Sequence, residues 1–223
     1  MSEAPVVFER AIPRGRRRET LEPSMLYDGR IAIGRRVPTR ANCWHDFLNA
    51  LVWGTFPRSK QALHSRQHRA IAARIEPGAR VLPPTRTREL DALALLDEGG
   101  VIVSADDPEP LKKALRFDTH SDRASASHGS VSTGVLRNAI ASGQAEAIVF
   151  GHAIFESLVL GVAPAAVAAF VRPRGAPNEP LGALDRALAD ALGDSARFGT
   201  PTELCRVELN EVAAGAVISQ RTR

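Results

Sequence analysis

Four groups of residues have types and spacings that suit chemistry. The first is Cys43-Trp44-His45-Asp46-Phe47-Leu48-Asn49. On a helix whose apolar face is Trp44, Phe47, Leu48 and Leu51, His45 and Asn49 share the neighbouring face at i, i+4, with Asp46 beside Asn49 at i, i+3. An imidazole, a carboxylate and a carboxamide at one helix start suit metal binding or the orientation of a general base. The structural alternative is equally physical: Asp46 in the first turn complements the helix dipole and His45 caps locally. The second group, His152-Ala-Ile-Phe-Glu156, places imidazole and carboxylate on one helical face just after a buried strand. There both can touch a metal, or hydrogen-bond as base and orienter. Its structural alternative is a partly buried histidine satisfied by its own glutamate.

The third group is Arg86-Thr87-Arg88-Glu89-Leu90-Asp91, with Asp97-Glu98 following. Read as a strand, the segment from Asp91 to Asp97 separates the two carboxylates by about 20 Å, too far to share a metal. Spacing alone therefore excludes a glycosidase pair. Asp97-Glu98 then serves the Gly99-Gly100 turn, and Arg88 with Asp91 is the functional pair. The fourth group is Lys60, His64 and His68 on one helical stripe. His64-Ser-Arg-Gln-His68 has zinc-protease spacing but carries Ser65 where the glutamate belongs, so a solvated face is expected. His120, Asp122 and His128 stand in a pattern-free stretch, with a metal there only a minor alternative. Cys43 and His45 are too close in sequence to face each other on a helix, which argues against a thiol dyad. P-loop, GxGxxG, GxSxG and kinase signatures are all missing.

The elements that must position these groups are readable in outline. Arg30 to Ile33 suits a short strand ended by Gly34. Asn42 is placed to cap a helix whose apolar face runs through Trp44, Phe47, Leu48, Leu51, Val52 and Thr55. Phe56-Pro57 breaks it and Pro57 opens a second helix through Ile75, with Leu63, Ala70, Ile71 and Ile75 as its seam. Asp91 to Asp97 and Val101 to Val103, split by Gly99-Gly100, read as a tight hairpin, a helix ending at Gly99 being the alternative. Asp107-Pro108 opens a helix to about Arg116, and Glu146 to Phe150 is a strand feeding a helix from His152. Val167 to Val171 suits another strand, and Pro180 to Leu192 an amphipathic helix striped by Leu181, Leu184, Leu188 and Leu192. The expected fold is α+β: a single helix-rich domain, with a helix pair packed on a small sheet containing a hairpin. Residues 1–24 read as a basic arm, 25–215 as the globular domain, and 118–130 as a loop insertion.

Composition bounds the function. The 223 residues are 44% hydrophobic and 24% charged, ordinary values that exclude a disordered or collagen-like chain. Residues 1 to 90 hold 16 Arg and one Lys against eight acids, a balance of +9; residues 91 to 223 carry −5. Part of the excess is Arg14-Gly15-Arg16-Arg17-Arg18, a solvated arm or a phosphate-neutralising contact to nucleic acid. No aromatics accompany it for base stacking. The start lacks a secretory apolar core, Val162 to Val171 is too short to span a bilayer, and two distant cysteines suggest neither disulfides nor a zinc knuckle. A cytoplasmic protein without membrane contact is the expectation.

The run from Val37 to Lys60 (VPTRANCWHDFLNALVWGTFPRSK) resembles the hallmark segment of the bacterial domain of unknown function 3025 family. Arg88 through Glu98 and Phe150-Gly-His-Ala-Ile-Phe-Glu156 are similar to its second and third motifs, in the same order and spacing. The family supplies no reaction. The resemblance implies that His45, Asp46, Asn49, Lys60, Arg88, Asp91, His152 and Glu156 form one candidate set. Two functions follow. One is a hydrolase-type enzyme on a small or anionic substrate, with His45 or His152 as base, Asp46, Asn49, Asp91 and Glu156 as orienters or ligands, and Lys60 and Arg88 as anion holders. A divalent metal is its candidate cofactor. The other is a nucleic-acid-binding or interaction protein using Arg14, Arg16, Arg17 and Arg18, with the motif residues as a structural network.

Overall fold

Val101, Ile102 and Val103 follow one another without polar alternation, the mark of a strand covered on both faces. In the computed structural model of the protein every residue of this strand is buried. The structure describes residues 5–11, 20–116, 134–162, 166–177 and 179–215. The arginines at 14, 16, 17 and 18, and the stretch 118–130, lie outside them. In chain order the elements are β1 (Val7–Arg10), α1 (Tyr27–Ala32), β2 (Arg36–Thr39), α2 (Trp44–Thr55), α3 (Pro57–Ala72) and α4 (Arg88–Gly99). There follow β3 (Gly100–Ala105), α5 (Pro108–Ala114), α6 (Val135–Ala141), β4 (Ala145–Val149) and α7 (His152–Val159). The last are β5 (Ala166–Pro173), α8 (Leu181–Gly193), β6 (Cys205–Glu208) and α9 (Leu209–Gly215). The class is α+β. Among the described residues no helix is long and apolar enough to cross a membrane.

Contacts within the chain group it into two compact units. Unit 1 is Met1–Leu93 with Pro180–Gly199; unit 2 is Ala94–Glu179 with Thr200–Arg223. The division falls inside α4. Unit 2 is organised by a four-stranded sheet in the order β4-β3-β5-β6, with β3 antiparallel to β4 and parallel to β5. Alternate residues Val101, Val103 and Ala105 join Val167, Ala169, Val171, Cys205 and Val207 in one apolar layer. Leu111, Leu136, Ile154 and Val212 from α5, α6, α7 and α9 close it. Unit 1 has a small parallel pair, β1 with β2, and helices α1, α2 and α8 around α3. On α8, Leu184, Leu188 and Leu192 are buried as the stripe predicts, while Leu181 is exposed.

Several expectations are corrected. Arg30 to Ile33 is not a strand: Tyr27–Ala32 is helical, because four residues carry too little periodicity to separate the two. Gly99-Gly100 is not a hairpin turn. The helix from Arg88 runs through Gly99, and Gly100 begins β3, whose antiparallel partner β4 comes 40 residues later. Asp91 and Asp97 are thus on one helix, about 9 Å apart along its axis rather than about 20 Å. The second helix of the pair ends at Ala72, short of Ile75. The apolar face of α2 is displaced: Leu48, Asn49, Val52 and Trp53 are buried, while Trp44 (61% exposed), Phe47 (52%) and Leu51 face outward. Its N-cap is Cys43; Asn42 precedes it in the left-handed region at φ 54°, which asparagine tolerates.

Candidate functional site

Helix α3 opens on Pro57, pre-set for a first turn. What it buries is unusual: Ser59, Lys60, Gln61, His64, Arg66 and Gln67, with Leu63. The solvated face expected for Lys60 and His64 is therefore wrong, since they are 0% and 2% exposed. A one-dimensional polar pattern looks solvated, but here other polar groups surround the helix. Two of its residues have structural partners. Asp185 of α8 accepts from the amides of Arg58 (3.1 Å) and Ser59 (2.8 Å), and Ser59 Oγ donates to the Asp185 carbonyl, so α8 caps the start of α3. Arg66 pairs with Glu89 at 2.6 Å and donates to the carbonyls of Leu192, Asp194 and Arg197, satisfying the end of α8.

Lys60 and His64 belong to a different cluster. His64 Nδ1 lies 2.9 Å from the Asp28 carboxylate, which only accepts, so Nδ1 carries the proton and Nε2 is left for another partner. The His64 ring stacks on Trp53 (centroids 5.6 Å, 8° between planes) and meets the edge of Tyr27. Lys60 Nζ sits 5.8 Å from the Trp53 ring centroid. Asn49, one helical turn before Trp53, donates to the Tyr27 hydroxyl at 3.3 Å. Four buried atoms of unit 1 have no hydrogen-bond partner among the described residues: Asn49 Oδ1, Trp53 Nε1, Gln61 Oε1 and His64 Nε2. Each unsatisfied group costs about 1–3 kcal/mol, so four would offset much of the roughly 5–15 kcal/mol that stabilises a domain. Water or a ligand on these atoms removes that cost.

In unit 2, α4 ends and α7 begins against each other. The amides of Phe150 and Gly151 both donate to the Gly100 carbonyl, at 2.9 and 2.8 Å. A Cβ on Gly151 would collide with the backbone of Gly100 and Glu98, so only glycine lets these two turns approach. The approach sets His152, first residue of α7 and buried. Its Nδ1 donates to the Asp97 carbonyl at 2.9 Å, and its Nε2 is 3.3 Å from Glu98 Oε2. Because a carbonyl only accepts, the proton of a neutral His152 is on Nδ1, and Nε2 turns a lone pair toward a carboxylate. Such a contact needs a proton or a metal cation between the two acceptors.

Residues 16–214 match the family described as Protein of unknown function (DUF3025). The chain belongs to this family. No curated protein and no solved structure matches it.

The remaining residues singled out from this DUF3025 sequence take varied positions. His45 is half-buried in the first turn of α2. Asp46 is engaged by Arg40, through its amide (2.6 Å) and guanidinium (2.7 Å). Burial pushes the Asp46 carboxyl up, but the hydrogen bonds and charge of Arg40, joined by Cys43, outweigh this and hold it below the usual carboxylate value. Asp91 pairs with Arg86 at 3.7 Å, not with Arg88, which is exposed at the start of α4. Glu156 is half-buried one turn along α7 from His152. Of the positive charge in unit 1, Arg30 and Arg36 meet Glu9, Arg58 meets Asp185, and Arg66 meets Glu89. The sequence reading missed Asp28, Tyr27 and Trp53 as partners of His64, and Glu98 as the partner of His152. Trp53 had a local signal, an indole at i+4 from Asn49 on one face; Asp28 had none, since it joins His64 across 36 residues.

Proposed function

We propose that this DUF3025 protein is a hydrolase-type enzyme for a small or anionic substrate, with a divalent cation held by His152 and Glu98. One observation carries the reading: His152 Nδ1 is committed to the Asp97 carbonyl, so its metal-ligating nitrogen faces a carboxylate. A ligating histidine held at its other nitrogen by a carbonyl is the usual support of a metal site. Glu98 is half exposed, which leaves coordination positions open to substrate and water, as catalytic sites require. A cation there would supply Lewis acidity. The chain's own residues fix the imidazole, present the carboxylate and offer Glu156 on the same helix as general base. Within unit 1, Lys60 and Arg88 are read as anion holders, His45, Asn49 and Asp91 as base or orienting groups, and Asp46 as a residue that positions the start of α2.

The test is metal analysis of the protein purified without chelators, followed by hydrolysis of a panel of phosphate and carboxylate esters. Roughly one equivalent of a divalent transition metal is expected. His152→Gln and Glu98→Gln should each weaken retention by at least about 10–100-fold, the usual cost of losing even a group that supports a ligand. Wild-type protein that stays metal-free after dialysis against zinc, cobalt and manganese would falsify the reading.

A further inference from the structure

We infer that the outward face of α2 is the contact surface for a second copy of this chain, the two α2 helices lying antiparallel across a two-fold axis. The inference goes beyond the proposed reaction and is independent of whether unit 2 holds a metal.

The outward residues of α2 are Trp44, Phe47, Leu51, Gly54 and Thr55, exposed and uncharged, with Ala50 half-buried beside them. An ordinary surface helix carries charged side chains on this face and apolar ones toward the core. In α2 that order is reversed: Asp46 and Asn49 are largely turned from solvent, while two aromatic rings stand in it. Trp44 and Phe47 meet edge to face with ring centroids 5.8 Å apart, so the patch is ordered before anything covers it. Trp44, Phe47, Leu51 and Gly54 follow one another at intervals of 3, 4 and 3 residues, the spacing of a seam between two packed helices. A two-fold axis through the middle of that seam sets Phe47 against Leu51 of the second copy, and Trp44 against its Gly54. Large then meets small. Nothing lies within 4 Å of where a Cβ on Gly54 would stand, so an indole has room to enter. Glycine inside a helix lowers its stability, and the close approach of another chain is what it permits here. This self-matching order of sizes is what an isologous contact requires, and it favours a second copy over an unrelated partner. A lipid surface fits less well. The arginines at the two ends of the stripe, Arg40 and Arg58, are engaged by Asp46 at 2.7 Å and Asp185 at 3.9 Å rather than held out for anionic headgroups.

The extent of the face sets the strength of the contact. Trp44 is 61%, Phe47 52% and Leu51 54% exposed. With about 150–250 Å² on an aromatic side chain, these three leave roughly 350 Å² open per copy, under half of the about 800 Å² that each partner of a stable complex buries. The pair is therefore weak and concentration-dependent, with a Kd on the order of 10–100 µM.

Sedimentation equilibrium of the full-length protein, from about tenfold below to about tenfold above that Kd, reads the association directly. A reversible monomer–dimer equilibrium is expected. Phe47→Asp, at an exposed position, should raise Kd at least about 100-fold by burying a carboxylate from each copy in the contact, with the circular dichroism spectrum unchanged. Gly54→Leu should raise it at least about tenfold by filling the space that Trp44 of the second copy takes. Leucine favours the helix of a single copy more than glycine does, so a higher urea midpoint with weaker association separates contact from fold. Should Phe47→Asp fail to fold, Gly54→Leu decides. A protein that stays monomeric throughout overturns the inference, and a monomer that instead sediments with phosphatidylglycerol vesicles assigns the face to lipid and overturns it too. Association undiminished in folded Phe47→Asp or in Gly54→Leu has the same consequence.

Discussion

In unit 2 the interior is Val101, Val103, Val167, Val171 and Val207 closed by Leu111, Leu136 and Ile154; in unit 1, α3 buries Ser59, Lys60, Gln61, His64, Arg66 and Gln67 beside Leu63. The apolar interior gains stability from area removed from water and tolerates volume-conserving exchanges of one hydrophobic side chain for another. The polar interior gains it only where each group meets a partner of fixed position. This difference separates structure from function inside unit 1. Arg66 and Ser59 find their partners on α8 and beyond it, whereas His64 Nε2 and Trp53 Nε1 have none among the described residues.

The comparison can be broken most forcefully at Arg66. Arg66→Met strips Glu89 and three helix-end carbonyls of their donor, and a loss of about 3–5 kcal/mol is expected in urea unfolding. Leu136→Ala, in the apolar layer of unit 2, should cost about 2–5 kcal/mol by leaving a cavity. A smaller loss for Arg66→Met than for Leu136→Ala would show that the polar interior is less dependent on its partners than argued. Gly151→Ala comes next: the collision with Gly100 and Glu98 should cost about 1–3 kcal/mol and lower metal retention together with stability. The double change Asp28→Leu with His64→Phe sharpens the contrast from the other side. Replacing a buried polar pair by apolar residues is often neutral or stabilising, so the urea midpoint should hold or rise. A large loss of stability would assign the pair to packing instead.

The smallest effect concerns pH. The folded Asp46 carboxyl lies below its ordinary value of 3.8, so its contribution is present above that pH and is lost as pH falls through the folded value. Asp46→Asn should therefore slightly flatten the acid limb of stability below about pH 4 and leave neutral pH little changed. An unchanged acid limb would mean that Arg40 does not stabilise the start of α2.

Legibility followed the range of the forces involved. Pro57, Asp107 and Gly151 announce turns and helix starts through their own backbone chemistry, and α3, α5 and α7 begin where they direct. The leucine stripe of α8 was visible because its period repeats over three turns. The segment from Asp91 to Gly100 is ambiguous in sequence because an apolar run beside two glycines suits either a helix end or a tight turn; the helix forms. The outward face of α2 is not legible because Trp44, Phe47 and Leu51 have the same periodicity as the buried set one position on. Of the site residues, His152 and its helix were legible. Glu98 is not legible as a site residue because two glycines after it suit a turn, and its partner His152 lies 54 residues away.

The sequence by itself determined the class, the motifs, the family and most helix starts, since these rest on residue type and on spacings of a few positions. Only the tertiary structure decided that Lys60 and His64 are buried, that Asp28 holds His64, and that Glu98 faces His152. Burial and hydrogen-bond partnership depend on what lies opposite a residue, and what lies opposite is set by chain segments tens of residues away. A polar stripe reads the same whether water or another helix covers it; here the unsatisfied nitrogens of His64 and Trp53 tell the two apart.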